Sequence, residues 1–146
     1  MPLSFTIDRS NIFTKKLAKN LGFFAKGRAM KEIAKEVVEY SIILTPLDTG
    51  RAKAGWKRAA DGLGAIYINH GTDGDRKSQG EGEGTFKIKY GFYTLDITFS
   101  NNVPYINLLD TGYSSQNRTG ILIPAIKKAL RNLPQIWKKE VNSAFW

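Results

Sequence analysis

The chain has 146 residues, of which 42% are hydrophobic and 24% charged, and it holds no cysteine. That length gives one domain room for a real apolar core, and the balance fits an ordinary soluble protein. Without cysteine there are no disulfides, thiolate metal sites or cysteine nucleophiles, and the chain suits a reducing cytoplasm.

The net charge of +9 is unevenly spread. Residues 1–60 carry 12 Lys/Arg against 5 Asp/Glu, residues 61–120 carry 5 against 7, and residues 121–146 carry 5 against 1, giving +7, −2 and +4. Basic ends can mark a nucleic-acid surface, a subunit that meets an acidic neighbour, or a solvated helix face. No helix-turn-helix, zinc-finger or RNP pattern accompanies them. No apolar run approaches the ~20 residues of a membrane span, so no membrane partner is expected. Met1 to Ser10 lacks the basic head and apolar middle of a signal peptide.

In chain order, Leu3, Phe5 and Ile7 alternate with polar residues and predict a short strand or extended arm. Ser10 is a fair N-cap for a helix through about Ala25, with Ile12, Phe13, Leu17, Leu21 and Phe24 at helical spacing. Gly22 weakens its end and Gly27 breaks it. A second helix is expected from about Arg28 to Leu44, with Met30, Ile33, Ala34, Val37, Ser41 and Leu44 inward. Thr45-Pro46 ends it, because proline disfavours helical geometry in the residue before it. Asp48, Thr49 and Gly50 follow as turn chemistry, and Trp56 must be buried. Arg51 to Ala60 fits either a helical turn or a strand. Asp61-Gly62 and Gly64 mark a turn, and Ala65 to Asn69 reads as a strand with Ile66 and Ile68 on one side.

His70 to Gly84 holds no large apolar residue, and the expectation is a flexible loop at about 70–84. Asp73 and Asp75 match only the first fragment of a calcium loop. Gly80, Gly82 and Gly84 lead into a strand and not into the helix a phosphate loop requires. Thr85 to Phe99 predicts two antiparallel strands reversing near Gly91, with Phe86, Ile88 and Tyr90 on one face of the first and Tyr93, Leu95, Ile97 and Phe99 on one face of the second. Asn101-Asn102 ends the sheet, and Pro104 opens a helical turn with Tyr105, Leu108 and Leu109 inward, closed by Gly112. Tyr113 to Thr119 is a second polar loop. A last helix opens at Ile121, with Pro124 in its first turn and Ile126, Ala129, Leu130 and Leu133 as its apolar face. Pro134 interrupts it, after which Ile136, Trp137, Val141 and Phe145 continue an apolar stripe to Trp146.

The whole chain, residues 1–146, therefore reads as a single α+β domain, with long N-terminal helices and a C-terminal helix packed on a small antiparallel sheet. It contains no G-x-S-x-G, H-E-x-x-H or P-loop motif. A Ser-His-Asp arrangement is possible only around His70, the single histidine. No catalytic residue, metal ligand or cofactor is expected, and the chain does not read as an enzyme.

Three stretches carry a resemblance. T-P-L-D-T-G-R runs from Thr45 to Arg51, with Trp56 close behind. N-N-V-P-Y-I-N-L-L-D-T-G runs from Asn101 to Gly112. L-I-P-A-I-K-K-A-L runs from Leu122 to Leu130. In this order they resemble the HK97 gp10-like tail-component family of tailed bacteriophages, related in role to lambda minor tail protein Z, over residues 28–135. The matching positions are Pro46, Asp48, Thr49, Gly50, Trp56, Asn102, Pro104, Tyr105, Asp110, Gly112, Pro124 and Ala125, expected as fold determinants. Asp110 stands where the family usually has Glu, Ile106 where it usually has Ala, and the 70–84 segment is longer. The resemblance implies a tail-completion or neck protein at the tail–head junction, found in the virion and, during assembly, in the host cytoplasm. Its implied partners are tail-tube or terminator and head-closure or connector proteins, in a homo-oligomeric ring, commonly a hexamer, with non-specific contact to DNA in the channel. The competing reading from charge alone is a basic nucleic-acid-binding module.

Overall fold

The computed structural model describes residues 3–7, 23–90, 95–136 and 138–139. The fold is α+β. Its elements are β1 (Leu3–Ile7), α1 (Phe23–Leu44), α2 (Arg51–Ala54), α3 (Lys57–Leu63), α4 (Gly74–Glu81), β2 (Gly84–Tyr90), β3 (Leu95–Asn101), α5 (Ile106–Asp110) and α6 (Leu122–Arg131). The expected Ser10 cap, most of the first helix with Gly22, the reversal at Gly91, Tyr93, and the stripe at Trp137, Val141, Phe145 and Trp146 lie outside the described residues.

α1 is the spine. Met30, Ile33, Ala34, Val37, Val38, Ser41 and Ile42 recur at three- and four-residue intervals and are all buried. Gly27 does not break the helix, which runs through it. A helix interior tolerates glycine at a modest cost, and here the chain passes against Leu95 of β3. The helix ends where the proline argument places it, before Thr45-Pro46. α6 packs along α1, and α1 also meets α3 and β3.

The sheet is antiparallel, in the order β1-β3-β2. Phe5 and Phe86 both stand opposite Phe99, and Ile7 and Ile88 opposite Ile97. β3 is thus central, and its inward residues Leu95, Ile97 and Phe99 are buried. Tyr90, expected to share the inward face of β2, is 66% exposed because it ends an edge strand. Trp56 lies wholly inside, edge-on to Phe99 with ring centroids 6.1 Å apart. Burial of such a ring contributes about 1.5–3 kcal/mol, and the edge-to-face contact about 0.5–1.5 kcal/mol more.

Four local expectations are corrected. Arg51 to Leu63 folds as two short helices, so Asp61-Gly62 lies within α3 and the turn falls at Gly64 (φ 67°). Ala65 to Asn69 is extended but pairs with no strand among the described residues. Side chains take over that role: Glu39 accepts the Ile66 amide at 3.2 Å, and Asn69 Nδ2 donates to the Gly50 carbonyl at 2.8 Å. The 70–84 segment is a capped helix, α4, and not a loop. Asp73 accepts the Arg76 amide at 3.1 Å as its N-cap, and Gly80 lets the helix rest on the Arg51 carbonyl and Ala54 of α2. In α5 it is Ile106 that is fully buried, whereas Tyr105 is 36% and Leu108 48% exposed. In α6 the buried face is Leu122, Ala125 and Ala129, with Ile126 and Leu133 half-buried and Leu130 turned to the edge. That helix stops at Arg131, and a separate helical turn at 133–136 buries Ile136.

Candidate functional site

The first motif makes a corner. Once α1 ends at Leu44, Thr45 turns inward: its hydroxyl donates to the Ser41 carbonyl at 2.6 Å and accepts the Trp56 indole N–H at 2.9 Å. The indole is buried, so its one donor needs such a partner. Lys53 Nζ donates to the Ile42 carbonyl at 2.6 Å, satisfying an acceptor in the last turn of α1. Burial lowers the pKa of this amine. Pro46 and Leu47 are half-buried and Asp48 is exposed. Thr49 Oγ1 accepts the Arg51 amide at 3.4 Å, and its carbonyl accepts the Asp73 amide at 3.2 Å. Gly50 precedes α2 at φ 96°, where a side chain would be strained, and its backbone lies directly against that of Gly71.

The second motif packs on the first. Arg51 makes a two-pronged ion pair with Glu83, both contacts 2.8 Å, and lies 5.7 Å from the centre of the Tyr105 ring. The hydrogen bond to Glu83 raises the guanidinium pKa against the opposing effect of burial. Burial also raises the Tyr105 pKa, with Arg51 pulling the other way. Of the two adjacent asparagines, Asn102 is exposed, its amide donating to the Glu83 carbonyl at 2.8 Å. The buried residue is Asn101. Its Nδ2 donates to the Ala52 carbonyl at 2.8 Å and its Oδ1 accepts the Val103 amide at 3.1 Å. The alternation Leu95, Ile97, Phe99 points inward again at residue 101, a signal present in the sequence. Pro104 is exposed and leads into α5, which ends at Asp110 with Gly112 beyond it at φ 83°.

The third motif docks on both. One oxygen of Asp110 accepts the amides of Ile121 at 2.9 Å and Leu122 at 3.1 Å, so the end of α5 caps the start of α6. Pro124 is the third residue of α6, where no intrahelical partner for its missing N–H exists, and Ala125 is buried. The intervening polar segment is tied to the corner. Gln116 accepts the Leu47 amide and donates to the Leu47 carbonyl, both at 2.7 Å, and Asn117 Nδ2 donates to the Leu44 and Gly120 carbonyls at 2.6 Å. Sequence reading missed Gln116 and Asn117, because nothing local distinguishes them from other loop amides.

No family model, no curated protein and no solved structure matches this chain. Its chemistry is consequently argued from geometry alone. The polar groups of the corner are engaged with one another: Arg51 with Glu83, Thr45 with Trp56, Asp110 with two amides. Among the described residues no three His, Asp or Glu side chains gather as a metal site, and no helix is long and apolar enough to cross a membrane. His70 is exposed.

Outside the corner lies an open groove of about 610 Å³ between the C-terminal end of α1 and residues 65–70. Ile43, Ile66 and Ile68 line it and are 67%, 66% and 55% exposed. Three exposed isoleucines on one recess form an apolar patch of the kind that marks interaction surfaces.

Proposed function

We propose that the chain is a virion structural protein of the tail–head junction of a tailed bacteriophage, a tail-completion or neck ring subunit that acts by assembly and not by catalysis. The observation that carries the reading is convergence: three stretches that resemble the HK97 gp10-like family meet at one hydrogen-bonded corner. Tyr105 lies beneath Arg51, Asp110 caps α6, and the segment before α6 is tied to Leu44 and Leu47. Polar groups that satisfy one another fix an angle between helices and sheet, which is what a subunit recognised by shape requires. The exposed apolar groove supports an assembling role in the same way. Its partners are tail-tube or terminator and head-closure or connector proteins, with copies arranged as a ring, in the family's manner a hexamer, around the DNA. A phage deleted for this chain is expected to accumulate finished heads and tails that do not join. Normal, joined particles in negative-stain images would overturn the reading.

One observation favours a second reading, a basic nucleic-acid-binding module. Lys127, Lys128, Arg131, Lys138 and Lys139 are all exposed, and no acidic residue occurs between 121 and 139. Such a module binds duplex with an affinity that falls steeply with salt, and failure to be retained on DNA at ~50 mM salt would dispose of it.

A further inference from the structure

We propose that the groove between α1 and residues 65–70 receives the outer ridge of α6 from a second copy of this chain. Both halves of the contact are on the page. The groove is apolar and open, with Ile43, Ile66 and Ile68 exposed along it. The ridge is Ile123, Lys127 and Leu130, at i, i+4 and i+7 on one helix face, with Ile123 64% and Leu130 37% exposed. α6 buries Leu122, Ala125 and Ala129 and packs along α1 of its own molecule. The ridge points away from that contact, so the groove it fills belongs to another copy. A helix offering anchors at this spacing to an apolar groove is a common mode of recognition.

Charge favours this occupant. Two molecules of net charge +9 repel unless they meet where the charge is locally balanced. The one carboxylate lining the groove is Glu39, while Lys53 there is committed to the Ile42 carbonyl. The ridge brings Lys127 between its two apolar anchors, so a cation enters a groove whose uncommitted charge is negative. Groove and ridge are different surfaces, so the contact is head-to-tail, and its repetition closes a ring or extends a filament. The inference rests on the assembly part of the proposed function, that copies of this chain bind one another.

The test uses the full chain and two variants, Ile68→Lys in the groove and Ile123→Lys on the ridge. Both side chains are largely exposed, so circular dichroism and melting temperature are expected to match the parent. Light scattering on the parent is expected to show association that rises with concentration, and each variant alone is expected to be monomeric. An equimolar mixture of the two is expected to give a heterodimer, because one brings an intact ridge and the other an intact groove. Association of either variant like the parent overturns the contact, as does a mixture that stays monomeric. A parent chain monomeric up to its solubility limit overturns it as well. The tail–head reading is judged separately, by whether particles join without the chain, and a variant that still builds a ring would leave that reading standing.

Discussion

Two adjacent hydroxyls on the last turn of α1 have opposite worth. Thr45 gives and accepts a hydrogen bond inside the fold, whereas Ser41 Oγ is buried with no hydrogen-bond partner. Thr45→Val keeps the shape but orphans the Trp56 indole N–H, and an unsatisfied buried donor costs about 1–3 kcal/mol. Ser41→Ala removes an unsatisfied group from a helix and is expected to stabilise by about 0.5–2 kcal/mol. Urea denaturation of both variants reads the two signs directly; a Thr45→Val variant as stable as the parent would remove that hydroxyl from the account of the corner. The same contrast separates the two asparagines. Asn101 is buried between Ala52 and Val103, and a reading that follows the alternation of β3 one residue further finds it.

Among the elements, α1 and the β2–β3 pair were legible in the sequence and α4 was not. The stripe of α1 repeats over several turns, and the strands alternate, because each buries one face. α4 has no apolar stripe at all. It forms because Asp73 caps it and because Gly80 lets its backbone rest on that of α2, and the second of these is a fact about another part of the chain. Glycines at 27 and 80 both lie inside helices, and the same substitution is expected to act oppositely. A Cβ at Gly27 would meet Leu95 at 3.8 Å, an ordinary contact, so Gly27→Ala is expected to stabilise by about 0.5–1 kcal/mol. At Gly80 the Cβ would fall inside the Arg51 carbonyl, and Gly80→Ala is expected to cost about 1–3 kcal/mol. Hydrogen exchange at residues 74–81 distinguishes undocking of α4, expected for Gly80→Ala, from global loss of stability. The segment 65–70 shows a different limit: its alternation was read correctly as extended, but alternation does not say whether a partner strand exists.

For the molecule as a whole, the tie between sheet and helices passes through two half-buried phenols. Burial is the main cause raising the pKa of both Tyr67 and Tyr105 above the ordinary 10.0. The unfolded chain therefore ionises first as pH rises. The stability these phenols contribute is fully present below pH 10 and is lost as pH climbs through their elevated folded values. Denaturation midpoints measured across that alkaline range are expected to fall, and Tyr67→Phe is expected to flatten part of the fall. A midpoint flat through the range would mean that neither phenol is desolvated as described.

The pairing of Gln116 with Leu47 has one more consequence. The carboxamide engages both main-chain groups of residue 47 and leaves its side chain out of the bond. Two stretches 69 positions apart are thereby clasped, yet only one of them must spell a particular letter. Position 47 can drift among residues that keep their amide hydrogen, while position 116 tolerates no loss of either hand of its amide: a carboxylate there would set oxygen against oxygen.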